Sequence, residues 1–491
     1  MMNNSAGWKG HFCPGLLFLV VLFLGGCAMG SDHKLRKPDL PGTWPETEAL
    51  TRDGQDYLLE WWTRFEDPML NQLVAKAVQD NPDIRVQAAR VWEARARLGF
   101  ARAEQLPTVG VQAEAVRQRQ PEAVTGIPGG SRGNLFSLAG LLEFELDIWG
   151  RLAMEREAAQ AVLLESQYTQ EAVRQGVISD VVVTYFNLVA AREELEITRQ
   201  TLELRKQTYE LERIRFEAGQ VDELVLGQAE SALEKVRALV PDLKRQVRIL
   251  EGALGVLTGL SPLELFDDDR VRYGLARSVF NPGAVPLVLP SELLNRRSDI
   301  RSAEARARAT GTAIGIARAE RLPRLNLSGL LGTLAPETRD LFTSSARNWS
   351  MGAQAAGPLL DFGRTRAGVE AAQAQYVQAE IQYEAVVSTA FNEVRDALAI
   401  YQSAQNREEA VLRLVGSVER TRNLAKVRYQ EGMISFLEFL EAEQDLFAAR
   451  QDLNNAVRDR LVAVATLSKA LGGGWDPDSI ERYEVSSAVK D

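Results

Sequence analysis

The sequence predicts a mixed, mainly α-helical fold built from two copies of one unit. Residues 83–107 return without a gap as residues 299–323, with 12 identities in 25 positions, where chance gives roughly one or two. Each copy also contains two segments that alternate between apolar and polar side chains, followed by a very long proline-free segment with helical periodicity. A duplication of this length indicates a pseudo-symmetric architecture.

A second block of sequence extends the repeat. Glu157–Ala161 reads EAAQA, and the same five letters return at Glu370–Ala374. In the same register, Gly219 of the first copy matches Gly432 of the second. The duplicated unit therefore includes the helical segments as well as the strands.

Strict alternation predicts two strands in each copy. The first strand of a copy follows Pro107 or Pro323, where proline ends the preceding helix. Polar positions such as Glu143, Glu145 and Asp147 lie opposite the apolar face. The apolar positions are Val109, Val111, Ala113, Ala115, Phe136, Leu138, Leu142, Phe144, Leu146, Ile148, Leu325, Leu327, Leu331, Trp349, Met351, Ala353 and Ala355. This pattern is typical of transmembrane barrel strands, and equally of a half-buried soluble hairpin.

Two long helical hairpins follow these strands. A glycine-arginine pair opens each one, and the first helix runs without proline from Arg151 to about Arg215. Its apolar positions repeat at coiled-coil spacing, and an unbroken helix of this length reaches roughly 95 Å. Each hairpin turns at a glycine, Gly219 or Gly432, and returns as a shorter helix. The row of apolar positions along these helices predicts that they pack as a core and have a mechanical role.

The N-terminus predicts export and lipidation. Residues 1–26 contain a short apolar run typical of a secretory signal peptide and too short for a stable membrane span. The run ends in Leu-Gly-Gly before Cys27, which resembles the lipobox of bacterial lipoproteins, in which the cysteine is acylated and becomes N-terminal. The next residue is Ala28 and not the aspartate that favours inner-membrane retention, which indicates outer-membrane sorting. The alternative is a signal peptide with an incidental cysteine.

Composition excludes several classes of function. Removal of residues 1–26 leaves Cys27 and His33 as the sole cysteine and histidine. No intrachain disulfide and no Cys/His metal site can then form, a His-based catalytic triad is nearly excluded, and no cofactor is expected. The formal charge moves from −10 to −11 with the loss of Lys9, so we expect no nucleic-acid partner.

Four membrane strands imply an oligomer, because they cannot close a barrel and an open sheet edge cannot lie in lipid. Two chains would give eight strands, whose interior is filled by side chains. Three chains would give twelve strands and room for a pore. This arithmetic allows a trimer without requiring one.

Several spaced motifs together resemble the TolC-like outer-membrane efflux proteins, and among them the lipoprotein (NodT-type) subgroup that serves RND pumps. These motifs are the lipobox, Trp61–Pro68 (WWTRFEDP), Asn81–Ile84 (NPDI), both Leu-Pro junctions, Gly357–Arg364 (GPLLDFGR) and Tyr429–Gly432 (YQEG). The resemblance spans essentially the whole mature chain. It implies a homotrimer with a twelve-stranded transmembrane β-barrel in outer-membrane lipid, continuous with a long periplasmic α-helical barrel. It also implies a periplasmic adaptor (membrane fusion protein) and an inner-membrane RND transporter as partners.

The resemblance also implies a candidate site at the second hairpin turn. Relatives place acidic residues there around the periplasmic aperture, and Glu438 and Glu441 occupy the matching positions. Three chains would bring up to six carboxylates together, which attracts cations. The alternative is that Glu438 only completes a capping box with Ser435. In the first copy Asp222 is the corresponding cap residue.

The predicted organisation is a signal peptide (1–26), a lipidated N-terminal segment (27–66), a first repeat (67–280), a second repeat (281–471) and a C-terminal tail in the equatorial region (472–491). The predicted function is a passive trimeric conduit for small molecules, opened at its periplasmic tip by partner binding, with no catalytic residues. The alternatives are a periplasmic adaptor lipoprotein, which would carry one hairpin between β-rich domains, and a protein-secretion channel of the same architecture. A lipid-anchored enzyme would have to rely on carboxylates such as Glu143, Glu145 and Asp147.

Overall fold

The computed structural model describes residues 58–265 and 290–480, together with Leu35 and residues 39–42. The predicted signal peptide and lipidation site Cys27 lie outside the described residues, as do parts of the predicted N-terminal segment, the inter-repeat region and the C-terminal tail. The duplicated unit lies almost entirely within them.

Helices dominate the chain and repeat in length. The main helices are α1 (Pro68–Asp80), α2 (Pro82–Ala103), α3 (Arg151–Glu217), α4 (Glu223–Leu257), α5 (Pro290–Arg296), α6 (Ser298–Ala319), α7 (Arg364–Gln430) and α8 (Phe436–Ala470). The long helices α3 and α7 both contain 67 residues, and the return helices α4 and α8 both contain 35. Helices α2 and α6 both contain 22 residues. This agreement confirms the predicted duplication for the long helices, the return helices and the pair α2 and α6.

Side-chain caps and prolines set the first helix boundaries. Asp67 accepts hydrogen bonds from the backbone N–H groups of Met69 at 2.8 Å and Leu70 at 3.3 Å, and Pro68 occupies the first helical position. Asn81 ends α1 and its side-chain oxygen accepts from the N–H of Asp83 at 2.9 Å, at the start of α2. Both caps satisfy N–H groups that a helix leaves without an internal partner.

The four strands form one antiparallel sheet in the order β1-β2-β3-β4. Their bounds are β1 (Thr108–Gln120), β2 (Ser131–Leu146), β3 (Arg324–Ala335) and β4 (Arg347–Ala356). Strands β2 and β3 come from different copies, so their pairing joins the two copies within the sheet. Strands β1 and β4 each have one paired neighbour, so the sheet of a single chain has two open edges.

The strand register confirms that the alternating apolar residues share one face. Leu142 lies opposite Val109 of β1 and Gly329 of β3, and Gly329 lies opposite Met351 of β4. Successive residues of a strand point to opposite faces, so the alternating apolar side chains predicted in the four strands share one face. Every position of β4 is exposed in the single chain. This face therefore needs an apolar environment outside the chain.

Two of the three carboxylates at the end of β2 make local contacts. Arg151, at the start of α3, donates to Glu145 at 2.9 Å. Asp147 accepts a hydrogen bond from the backbone N–H of Ala153 at 2.8 Å, in the first turn of the same helix. These contacts anchor the strand–helix junction.

The chain folds into two compact units, and each unit combines segments of both copies. The first includes residues 93–164 and 304–381, and the second includes residues 165–265 and 382–480. The second contains an aromatic core in which Phe65 and Phe186 lie 4.7 Å apart between ring centroids, and Tyr185 donates a hydrogen bond to Asp67. Within the described residues, no helix has both the length and the apolar character needed to cross a bilayer.

Candidate functional site at the helix turns

The two hairpin turns connect α3 to α4 and α7 to α8, and both lie in the second compact unit. Gly219 and Gly432 follow the long helices with φ angles of +68° and +72°. In each turn the next residue donates its backbone N–H to a carbonyl five residues earlier, from Gln220 to Arg215 and from Met433 to Arg428, both at 2.8 Å. This is the Schellman arrangement, which favours glycine at the left-handed position.

Each return helix begins with a side-chain cap. Asp222 accepts from the N–H of Val225 at 3.0 Å. Ser435 accepts from the N–H of Glu438 at 3.3 Å, and the Glu438 carboxylate accepts from the Ser435 N–H at 2.8 Å. These bonds form a complete capping box at the start of α8. The hydrogen bonds from the backbone N–H and then the hydroxyl of Ser435 lower the pKa of Glu438.

Glu441 lies one turn beyond Glu438 on α8, and its side chain is exposed. Among the described residues it forms no ion pair. Val225 and Gln228 occupy the corresponding positions of the first copy. The two acidic residues are therefore specific to the second hairpin, and only Glu438 takes part in a cap.

An apolar cluster lies beneath the turns and joins the two hairpins. Phe436, Phe439 and Leu440 of α8 pack with Ala229 and Ala232 of α4. Tyr429, from the end of α7, stacks on Phe439 with ring centroids 5.2 Å apart and planes 4° from parallel. The cluster holds the start of both return helices in contact.

A polar network beside this cluster also joins the copies. Arg215 of α3 donates to the hydroxyl of Tyr429 on α7 at 3.3 Å and forms an ion pair with Glu212 at 3.3 Å. The Glu212 side chain is fully buried. Burial, together with the Glu212 carboxylate, raises the pKa of Tyr429 to about 12. In the repeat alignment, Glu212 matches Ala425 of the second copy. An acidic residue present in only one copy is the sequence signal that could have indicated this network.

A second ionic contact connects α3 to α7 and α8 further from the turns. Glu443 accepts from Arg205 at 2.9 Å through one oxygen and from Arg422 at 3.0 Å through the other. The Arg205 side chain is only 4% exposed. Burial, and the neighbouring Arg422 charge, lower the pKa of Arg205 against the opposing effect of Glu443. No sequence motif predicted this three-residue contact.

Carboxylates and basic residues are the chemical groups that this region offers. In residues 58–265 and 290–480, no three or more His, Cys, Asp and Glu side chains are grouped so that they could hold a metal ion. The region can therefore form caps, ion pairs and a charged surface.

Comparison with known proteins gives a consistent result over most of the chain. Residues 73–260 and 289–473 match the family model described as "Outer membrane efflux protein". The chain is 32% identical over 469 residues to outer membrane protein OprJ of Pseudomonas aeruginosa, with 93% of this chain and 95% of OprJ covered. It is 31% identical over 474 residues to cation efflux system protein CusC of Escherichia coli O6:H1, with 94% and 99% covered.

Solved structures show the same similarity in three dimensions. The Campylobacter jejuni CmeC outer membrane channel superposes with a TM-score of 0.86 at 26% identity, covering 94% of this chain and 98% of CmeC. The outer-membrane channel OprN superposes with a TM-score of 0.84 at 29% identity, covering 91% and 100%. The two matched segments of the family model correspond to the two copies of the repeat. The chain therefore belongs to the outer membrane efflux protein family.

Proposed function

We propose that this protein is the outer-membrane channel of a tripartite efflux system, a passive conduit for small molecules. The observation that carries the proposal is the sheet of one chain, which has two open edges and one apolar face across all four strands. Open edges cannot lie in lipid, so the edges require further copies of the chain and the apolar face requires the membrane. The two helical hairpins argue against the adaptor alternative, which has one.

The assembly that fits is a homotrimer. Three four-stranded sheets give a twelve-stranded barrel with room for a pore, whereas eight strands leave an interior that side chains fill. Acylated Cys27 would add a lipid anchor in the outer membrane. The helical hairpins would continue the conduit into the periplasm as an α-helical barrel. There, a periplasmic adaptor and an inner-membrane RND transporter supply substrate and energy.

The tip is held closed by contacts between the first and second hairpins. Arg215 reaches Tyr429, and Arg205 shares Glu443 with Arg422. Opening separates these groups, and adaptor binding shifts the population toward that open state by binding it more tightly.

Glu438 and Glu441 of three chains form the periplasmic aperture, with Glu441 the stronger contributor to its field. Glu438 is committed to the capping box, while Glu441 is exposed and unpaired among the described residues. Rings of carboxylates in a narrow passage attract cations and repel anions. The aperture is therefore cation-selective.

We predict that Glu441→Lys reverses or abolishes the cation preference of the channel. The change replaces three negative charges of the trimer by three positive ones, so the reversal potential in a salt gradient across a planar bilayer should shift toward anion selectivity. Gln228→Lys, at the matching position of the first hairpin, is the control and should change selectivity much less. An unchanged reversal potential in Glu438→Gln/Glu441→Gln would reduce both acids to capping and solubility.

The native mass of the detergent-extracted outer-membrane fraction tests the assembly. A trimer is expected. A hexamer would favour an adaptor, and a monomer would contradict the shared barrel.

A further inference from the structure

A cavity of about 340 Å³ lies between α3, α7 and α8 in the second compact unit. It is a different region from the acidic residues of the α8 turn. Its lining combines charged and polar side chains with an apolar part formed by Leu204, Leu446 and Phe447. The lining residues include Arg205, Glu419, Arg422, Lys426, Glu443 and Arg450.

Two arginines of this cavity share one carboxylate. Arg205 is 4% exposed and Arg422 is 18% exposed, and both donate to Glu443, which is itself 10% exposed. Each oxygen of Glu443 is occupied by one of the two guanidinium groups. A buried charge is costly unless it is paired and hydrogen-bonded. One carboxylate for one buried and one partly buried guanidinium group leaves one positive charge in excess.

The remaining charges on the cavity wall add to this excess. Arg450 pairs with Glu419 at 3.2 Å, and both are about half exposed. Lys426 also lines the cavity and forms no ion pair among the described residues. Four cations therefore face two carboxylates, Glu419 and Glu443, which leaves a net charge of +2 around the cavity, although the chain as a whole has a net charge of −10.

We propose that this cavity binds a small oxyanion of the phosphate type. Guanidinium groups offer several N–H donors in one plane, which match the oxygens of phosphate, and ammonium groups add a point charge. The ion would balance the excess positive charge around buried Arg205. It would also accept hydrogen bonds from the guanidinium N–H groups that do not donate to Glu443. The lowered pKa of Arg205 agrees with incomplete compensation. The proposal depends on the charges and the space between three helices, although Arg205, Arg422 and Glu443 also belong to the contacts proposed above to hold the tip closed.

The test measures phosphate binding by the full chain, purified as its native oligomer in detergent. Isothermal titration with inorganic phosphate at pH 7.5, and thermal unfolding in phosphate against chloride at equal ionic strength, report the site. A ligand that binds the folded state raises the unfolding midpoint. We expect phosphate to raise the midpoint of the unmodified protein above that in chloride.

Matched variants separate the cavity from general surface charge. Lys426→Met/Arg450→Gln removes two exposed charges from the cavity wall, and we expect at least tenfold weaker phosphate binding. The control, Arg413→Gln/Arg420→Gln, removes two exposed charges of α7 that do not line the cavity and should bind phosphate within about twofold of the unmodified protein, in line with the modest effect of exposed charges. Equal midpoints in phosphate and chloride, or equal losses in both double variants, would overturn the proposal.

Discussion

At the scale of single residues, Tyr429 combines a packing role and a polar role. Its ring stacks on Phe439, while its hydroxyl accepts a hydrogen bond from Arg215 of the other hairpin at 3.3 Å. Phenylalanine occupies the matching position of the first copy, Phe216. The hydroxyl is therefore the part of this side chain that links the two hairpins through a polar contact.

We predict that Tyr429→Phe raises the open probability of the channel. The ring contact with Phe439 is kept, but a partly buried hydrogen bond worth about 1 kcal/mol is lost, which corresponds to roughly a fivefold shift toward the open state. Single-channel recording in planar bilayers measures this shift. Tyr209→Phe is the matched control, because Tyr209 packs against the same cluster and its hydroxyl has no hydrogen bond among the described residues. Equal effects of both variants would show that the hydroxyl contact does not hold the tip closed.

The capping carboxylate of Glu438 predicts that the stability of the folded protein depends on pH. Its pKa lies below the ordinary value of 4.5 because Ser435 donates hydrogen bonds to the ionised form. A lowered folded-state pKa gives stability that is present above the unfolded value and is lost as the pH falls through the folded value. Glu438→Gln can keep the neutral hydrogen bonds of the box without the charge.

We expect the unmodified protein to be more stable than Glu438→Gln at pH 7, and the difference to shrink as the pH falls below about 4.5. Thermal unfolding in detergent between pH 3 and pH 7 measures it. A difference between the two proteins that stays constant across this range would show that the carboxylate charge does not stabilise the turn.

At the scale of elements, the hairpin turns depend on glycine. Gly432 has a φ of +72°, and an added Cβ would have open space around it. The cost of a side chain there is therefore one of backbone conformation and not of collision. Residues other than glycine pay about 1–2 kcal/mol in the left-handed region.

We predict that Gly432→Ala destabilises the second hairpin by about 1 kcal/mol, and that Gly416→Ala stabilises it by a similar amount. Gly416 lies inside α7, where alanine is favoured over glycine by about 1 kcal/mol, and its added Cβ would meet only the end of the Arg420 side chain, at 3.9 Å. Thermal unfolding midpoints of the two variants should move in opposite directions. A shift of both midpoints in the same direction would contradict the conformational argument.

At the scale of the whole molecule, the apolar face of the sheet determines where the protein can fold. Met351 and Ser350 are neighbours on β4, and both are exposed in the single chain. The register places Met351 on the apolar face and Ser350 on the opposite face. In the proposed barrel, Met351 therefore faces the lipid and Ser350 faces the water-filled interior.

We predict that Met351→Lys lowers the amount of assembled trimer in the outer membrane and that Ser350→Lys does not. A lysine on the lipid face of a barrel costs about 2–4 kcal/mol near the middle of the bilayer, whereas a position facing the lumen tolerates it. Quantifying the native oligomer after membrane fractionation measures both. Equal losses for the two variants would contradict the assignment of faces.

The sequence by itself determined the duplicated helical architecture, the four strands with their apolar face, and the turns with their caps. These features depend on local rules, because periodicity, proline, glycine and capping residues act within a few positions along the chain. The family could be named for the same reason, since its motifs are short and lie in a fixed order. Asp222, Ser435 and Glu438 could be predicted in this way.

Only the tertiary structure decided which residues of the two copies meet. The pairing of β2 with β3, the contact of Arg215 with Tyr429, and the contact of Arg205 with Glu443 all join residues about 180 to 240 positions apart. Charged residues of this kind also occur on the exposed faces of the long helices α3 and α7, so composition and spacing do not distinguish a buried arginine from a solvated one. Burial distinguishes them, because the desolvation of a charge depends on what the packed helices place around it.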